Sequence, residues 1–214
     1  DHRGQPLFER FLPEFAFDFR PQPNGLFTYW NENGYYCAMD STGTVVDTIR
    51  CGNGYLADEH ELQVLPNGHS LLLSYDPEPY PMDTVVAGGR SDAFVMALIV
   101  QELDESKNVV MQWRSWDHFQ VTDAIGCDVH LTDPLVDYVH GNALDADTDS
   151  TLLISSRHLN EITRIDRRTG EVIWRLGLNA RNNDFTFLDD ARGFAHQHDI
   201  RHLPNGHITL FDNG

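Results

Sequence analysis

His60-Glu-Leu-Gln-Val-Leu-Pro-Asn-Gly-His69 and His198-Asp-Ile-Arg-His-Leu-Pro-Asn-Gly-His207 are two copies of one unit. Each reads His, acid, aliphatic, two variable residues, then Leu-Pro-Asn-Gly-His. Each then enters an apolar strand, Ser70-Leu71-Leu72-Leu73 in one copy and Ile208-Thr209-Leu210-Phe211 in the other. A looser copy starts at His140 and reaches Leu152-Leu153-Ile154 after Asp145-Ala-Asp147-Thr-Asp149-Ser150. Pro23-Asn24-Gly25 aligns with the later Pro-Asn-Gly turns and puts Phe17 at the histidine position. Units of this kind stack around an axis or along a line. Around an axis, one position in every unit faces the same centre, so His60, His140 and His198 converge there.

A second half repeats as well. Asp40-Ser-Thr-Gly43-Thr-Val-Val46 resembles Asp166-Arg-Arg-Thr-Gly170-Glu-Val-Ile173, and Leu103-Asp104 through Trp113 is a looser third version. Turn residues separate short apolar or alternating runs, the pattern of hairpins, and no stretch has the period of a long amphipathic helix. The sequence therefore predicts an all-β fold, a β-propeller of about three and a half four-stranded blades. They lie near residues 13–52, 57–119, 138–177 and, in part, 196–214, within one incomplete domain over 1–214. The closed ring is expected in the full protein. Connections at Pro77–Ser91, Gln120–Asp137 and Leu178–Ala195 are expected to cap one face.

Composition narrows the function classes. Of the 214 residues, 33 are acidic and 15 basic, a net charge of −18. That balance disfavours nucleic acid, whose binding draws on Lys and Arg, and an anionic membrane surface. No apolar run is long enough to span a bilayer, so no membrane insertion is expected. Asp1 is not an initiator Met and no leader is visible, so the chain reads as a mature or trimmed product. Three cysteines, Cys37, Cys51 and Cys127, cannot all pair together. The expected register sets Cys37 nearer Asp47, against a Cys37–Cys51 bridge.

In a propeller the first strand of each blade runs along the channel. His60, His140 and His198 fall on those strands, and Arg157 ends the second strand of its blade. Imidazoles beside an always-charged guanidinium suit a tetrahedral oxyanion and its transfer. His196 shares a strand face with His198, and Asn142 one with His140, so both are candidate substrate contacts. His-x-His alone does not specify a metal, and no metal or cofactor is expected. Asp145-x-Asp147-x-Asp149 lacks the Gly and Glu of a calcium loop and reads as a solvated acidic turn. His69 and His207 read as turn packing, His2, His118, His130, His158 and His202 as incidental, and Trp30, Trp113, Trp116 and Trp174 as packing between blades.

One ordered run resembles a known family. His140-Gly-Asn142-Ala-Leu, Leu152-Leu-Ile-Ser-Ser-Arg157-His-Leu-Asn160-Glu-Ile and Glu171-Val-Ile-Trp174-Arg-Leu-Gly177 are similar to the aryl-sulfate sulfotransferases. So are Asn183-Asp-Phe185-Thr-Phe187, His196-Gln197-His198 and Leu210-Phe211-Asp212-Asn213-Gly214. The resemblance implies a six-bladed ring, periplasmic or secreted, that moves a sulfuryl group from a phenolic sulfate donor to a phenol acceptor without a nucleotide sulfate. It implies a transiently sulfated His198, with His60, His140 and Arg157 completing the site. The residues alone also leave open a non-catalytic binding propeller and a propeller hydrolase with a channel metal.

Overall fold

The three Pro-Asn-Gly turns share one conformation. Gly25, Gly68 and Gly206 have φ of +83°, +81° and +82°, the left-handed region that glycine enters without steric cost. The Asn side chain accepts the N–H two residues on, Asn24 from Leu26, Asn67 from His69 and Asn205 from His207, each at 3.1 Å. This Asx arrangement is why Asn precedes the glycine. The computed structural model describes residues 3, 5, 9, 11, 12, 15–126, 128–147 and 150–214. His2, Cys127, Asp149 and the expected blade start at residue 13 lie outside the described residues.

Each turn joins the first two strands of an antiparallel sheet. The first blade is β1 (Ala16–Pro21), β2 (Phe27–Asn31), β3 (Tyr35–Met39) and β4 (Val45–Ile49), paired in chain order. The second is β5 (Ala57–Val64), β6 (Ser70–Tyr80), β7 (Ala93–Leu103) and β8 (Val109–Arg114). After a short β9 (Leu135–Val136), the third is β10 (Gly141–Ala146), β11 (Thr151–Ser156), β12 (Glu161–Asp166) and β13 (Val172–Leu176). β14 (His198–His202) and β15 (Ile208–Phe211) begin a fourth. The hairpins of the second half also match: Asp40, Asp104 and Asp166 each cap the N–H two residues on, at 2.8 to 2.9 Å. Lys107, at φ +65°, stands in the looser copy where the others have Gly43 and Gly170.

The inner strands lie side by side in chain order, β1 beside β5, β5 beside β10, β10 beside β14. The buried core divides accordingly. Tyr36, Ile49, Leu62 and Leu72 pack blade one on blade two. Leu71, Leu98, Leu144, Leu152 and Ile165 pack two on three. Ala143, Leu153, Ile162 and Ile200 pack three on four. Two tryptophans tie successive blades through their ring N–H: Trp30 to the Ala57 carbonyl at 2.8 Å and Trp113 to that of Gly170 at 3.1 Å. The architecture is all-β and of the β-propeller type, with no α-helix among the described residues. Three and a half blades stand where closed rings have ~4–8.

Several boundaries move. β6 runs on to Tyr80, through Pro77 and Pro79, so the Pro77–Ser91 connection is partly strand. β8 stops at Arg114, and Ser115–Asp117 is a 3-10 turn. β9 pairs in parallel with β7 beyond the end of β8 and was not foreseen. Cys37 stands opposite Thr48 rather than Asp47, one residue from the expected register. Cys37 and Cys51 are both free thiols.

Candidate active site

Each inner strand carries a bulge at the same place. Its register slips between Phe17 and Arg20, between Ala57 and Leu62, between Gly141 and Ala143, and between His198 and Arg201. A bulge bends a strand and re-aims its side chains. Three of the bulges begin at or bracket the hub positions Phe17, His60 and His198, and the fourth starts at Gly141, one residue after His140. His60 and His140 meet edge to face with ring centres 5.3 Å apart, and His60 and His198 are 6.5 Å apart. The imidazoles do converge, although they are up to 138 positions apart in the chain.

All three rings are held by the same nitrogen. His60 Nδ1 donates to Asp58 at 2.7 Å, and Asp58 also accepts the His60 backbone N–H at 3.0 Å. His140 Nδ1 donates to Asp137 at 2.7 Å, with its backbone N–H on the same carboxylate at 2.9 Å. His198 Nδ1 donates to the His196 carbonyl at 2.8 Å. A carbonyl only accepts, so Nδ1 of His198 carries the proton and the neutral ring has its lone pair on Nε2. Nε2 is therefore the atom each ring offers to a substrate.

Electrostatics separate the rings. Burial pushes the His198 pKa down, and the charges of His60, His140 and Arg157 push it further, so the neutral form of His198 is favoured. Burial also opposes charge on His60. The Asp58 hydrogen bond and the charges of Asp58, Glu59 and Asp137 outweigh it, and the His60 pKa is raised. Neighbouring groups with pKa values pushed apart are the signature of a base beside an acid. Arg157 is the first residue of the 3-10 turn Arg157–Leu159, not the end of β11. One arm of its guanidinium pairs with Asp128.

The spacing bears on a metal. One ion holds its nitrogens at ~2.0–2.1 Å, so two ligands of one ion stand within ~4.2 Å. Among the described residues, the one His and acid group whose ligand atoms all lie within 4.8 Å of one another is Asp137, His140 and His158. His140 Nδ1 donates to the Asp137 carboxylate at 2.7 Å and His158 Nδ1 to the Asp137 backbone carbonyl at 2.6 Å. Among the described residues, His60, His140 and His198 do not form a group whose ligand atoms all lie within 4.8 Å of one another. A tetrahedral oxyanion is larger, and its oxygens take donors at ~2.7–2.9 Å each.

A family model described as arylsulfotransferase (ASST) matches residues 3–214. The chain belongs to the arylsulfotransferase family. A search of curated proteins found no match. Among solved structures the chain is similar to a protein of unknown function from Bacteroides caccae, at 9% identity and a TM-score of 0.51, covering 95% of this chain and 55% of that one. It is also similar to the WD40 β-propeller domain of Doa1, at 11% identity and a TM-score of 0.38, covering 87% and 58%. The first likeness concerns fold alone, and the chain spans little more than half the length of either structure.

Two expected substrate contacts of this arylsulfotransferase-family hub also make structural hydrogen bonds. Asn142 is buried and its amide donates to the Gln197 carbonyl at 2.9 Å, fixing the segment that leads into His198. His196 does not share a strand face with His198. It lies before β14 at φ +49°, with Asn160 accepting its N–H at 2.8 Å and its Nε2 3.9 Å from Asp128. His140 likewise precedes β10, at φ +49°.

Other groups were not foreseen. Asp58 and Asp137, the partners of two hub rings, lie two and three residues before them, and that spacing is visible in the sequence. His158, read as incidental, is buried with its ring 4.6 Å from that of His140. Asp128 sits between Arg157, His158 and His196. Its loop is tied down by the Ile125 and Gly126 N–H groups on the His158 carbonyl, at 3.0 and 3.2 Å. His69 pairs with buried Glu102 at 2.7 Å, which also takes Arg167 of the third blade at 2.6 Å. Asp145 and Asp147 are not a solvated turn: Asp145 accepts from His202 at 2.9 Å, and Asp147 pairs with Arg164 at 2.6 Å.

Proposed function

We propose that the hub transfers a sulfuryl group from a phenolic sulfate ester to a phenolic acceptor through a sulfohistidine at His198, with no nucleotide sulfate. The observation that carries this reading is the tautomer of His198: Nδ1–H is spent on a carbonyl and the lone pair is on Nε2, with burial and then cationic neighbours favouring the neutral ring. Membership of the arylsulfotransferase family supports it.

In the first half-reaction the His198 Nε2 lone pair attacks sulfur, an N–S bond forms and the S–O bond to the aryl group breaks. The leaving phenolate takes a proton from His60, whose raised pKa favours the charged form. Arg157 and His140 hold the sulfuryl oxygens. In the second half-reaction the acceptor phenol gives its proton to His60 as its oxygen attacks sulfur, and the N–S bond breaks. Neutral His198 and charged His60 are restored. Donors fixed before the reaction starts are the large term, and losing one typically costs ~10²–10³ in rate. A periplasmic or secreted location is part of the same reading.

The test is turnover of 4-nitrophenyl sulfate by the full-length protein, with and without phenol. Nitrophenol release should depend on phenol. Release that ignores phenol, or no release, contradicts transfer to a phenol.

A further inference from the structure

One carboxylate, next to His60 in the chain, touches every blade. Glu61 follows His60 on β5 and is fully buried. Its Oε1 accepts from Arg20 of β1 at 2.5 Å. Its Oε2 pairs with Arg201 of β14 at 2.9 Å and accepts the Leu144 N–H of β10 at 3.3 Å. The two arginines carry on the chain, Arg20 to Asp18 at 2.6 Å and Arg201 to Asp199 at 2.7 Å.

These acids are equivalent. Asp18, Glu61 and Asp199 each follow the hub position, after Phe17, His60 and His198. Asp18 and Asp199 sit at φ +50° and +53°, inside the bulges of β1 and β14. The line Asp18–Arg20–Glu61–Arg201–Asp199 thus ties three bulges together. Two of those bulges present His60 and His198, whose separation the two-step transfer depends on.

We propose that Glu61 is a positioning residue: held by one group from each of the other three blades, it fixes the bulges that present His60 and His198. It touches neither sulfur nor phenol. The catalytic consequence rests on the transfer reading above, while the effect on ring geometry does not. Displacing a reacting group by ~1 Å costs on the order of 10² in rate. Glu61→Gln exchanges one acceptor oxygen for an N–H donor facing either guanidinium or the Leu144 N–H, so the line cannot close.

The experiment compares wild type, Glu61→Gln and Glu102→Gln in the full-length protein. Glu102→Gln also breaks a buried tie between blades, with His69 and Arg167, but away from the hub. Two readouts are taken: the kcat and KM of aryl-sulfate turnover, and the ¹⁵N side-chain NMR signals of His60 and His198. Glu61→Gln should lower kcat 10- to 100-fold with donor KM within about threefold, and shift both imidazole signals. Glu102→Gln should lower the melting temperature and leave kcat and both signals in place. Should Glu61→Gln not accumulate, Arg201→Lys, which keeps the charge and loses the planar fork, is measured instead with the same expectations. Unmoved signals in a folded hub variant, or equal loss of kcat in the hub variant and Glu102→Gln, overturn the proposal. If wild type turns over no aryl sulfate, the transfer reading fails, and the NMR signals alone decide whether Glu61 positions the rings.

Discussion

His60 and His198 are 6.5 Å apart and pushed in opposite directions on the pH scale. Under the proposed transfer, His198 below its lowered pKa takes a proton on Nε2 and cannot attack. Under the same proposal, His60 above its raised pKa loses the proton that a leaving phenolate would take. The kcat/KM of donor turnover should therefore be bell-shaped, with its acid limb below and its alkaline limb above ~6.5, the ordinary imidazole value. His60→Gln should remove the alkaline limb, and a flat profile across both limbs contradicts the assignment. His198→Ala should abolish transfer. His69→Ala should keep kcat and cost about 1 kcal/mol of stability in denaturant titration, since it loses a hydrogen bond to buried Glu102. The three hub histidines were legible because a repeat converts sequence offset into position. His158 and Asp128 were not, because their contacts depend on a loop from Gln120 to Asp137 that belongs to no repeat.

Strands and turns were legible wherever Asn-Gly or Thr-Gly fixed the chain reversal, and misjudged where strands outran their partners. Pro77 and Pro79 suggested the end of β6, yet the strand carries both as it pairs with β7. Two apart, they place their missing N–H groups on one edge, and β5 leaves that edge after its last pair, Ala57 with Ser74. Proline is tolerated on such an edge. Gly177 closes the quoted Trp174-Arg-Leu-Gly motif for a steric reason that spacing does not reveal: a Cβ there would lie 2.2 Å from the Asn160 carbonyl oxygen. Asn160 is itself left-handed, at φ +50°, and its side chain holds the His196 N–H. Gly177→Ala should cost about 1–3 kcal/mol by denaturant titration. Wild-type stability in that variant contradicts this account of the contact.

For the whole molecule, the radial arrangement puts carboxyls as well as imidazoles inside. Glu161, at the start of β12, is 1% exposed, and burial pushes its pKa up to about 7 against Thr163 and Arg175. A carboxyl raised in the folded state favours folding while protonated. That contribution is full below the ordinary carboxyl value and is lost as pH rises through about 7. Glu161→Gln should thus be more stable than wild type at alkaline pH, by about 1–3 kcal/mol, with the gap closing under acid. Melting curves that run parallel across pH would remove Glu161 from this account. The net charge of −18 foretold none of this, because it sums a surface and says nothing of a basic hub or of acids buried between blades. The most direct measurement is mass spectrometry after exposure to an aryl sulfate with no phenol present. The account predicts one SO₃ on the peptide containing His198, discharged when phenol is added and absent from His198→Ala. Nitrophenol release with that peptide unmodified would contradict it.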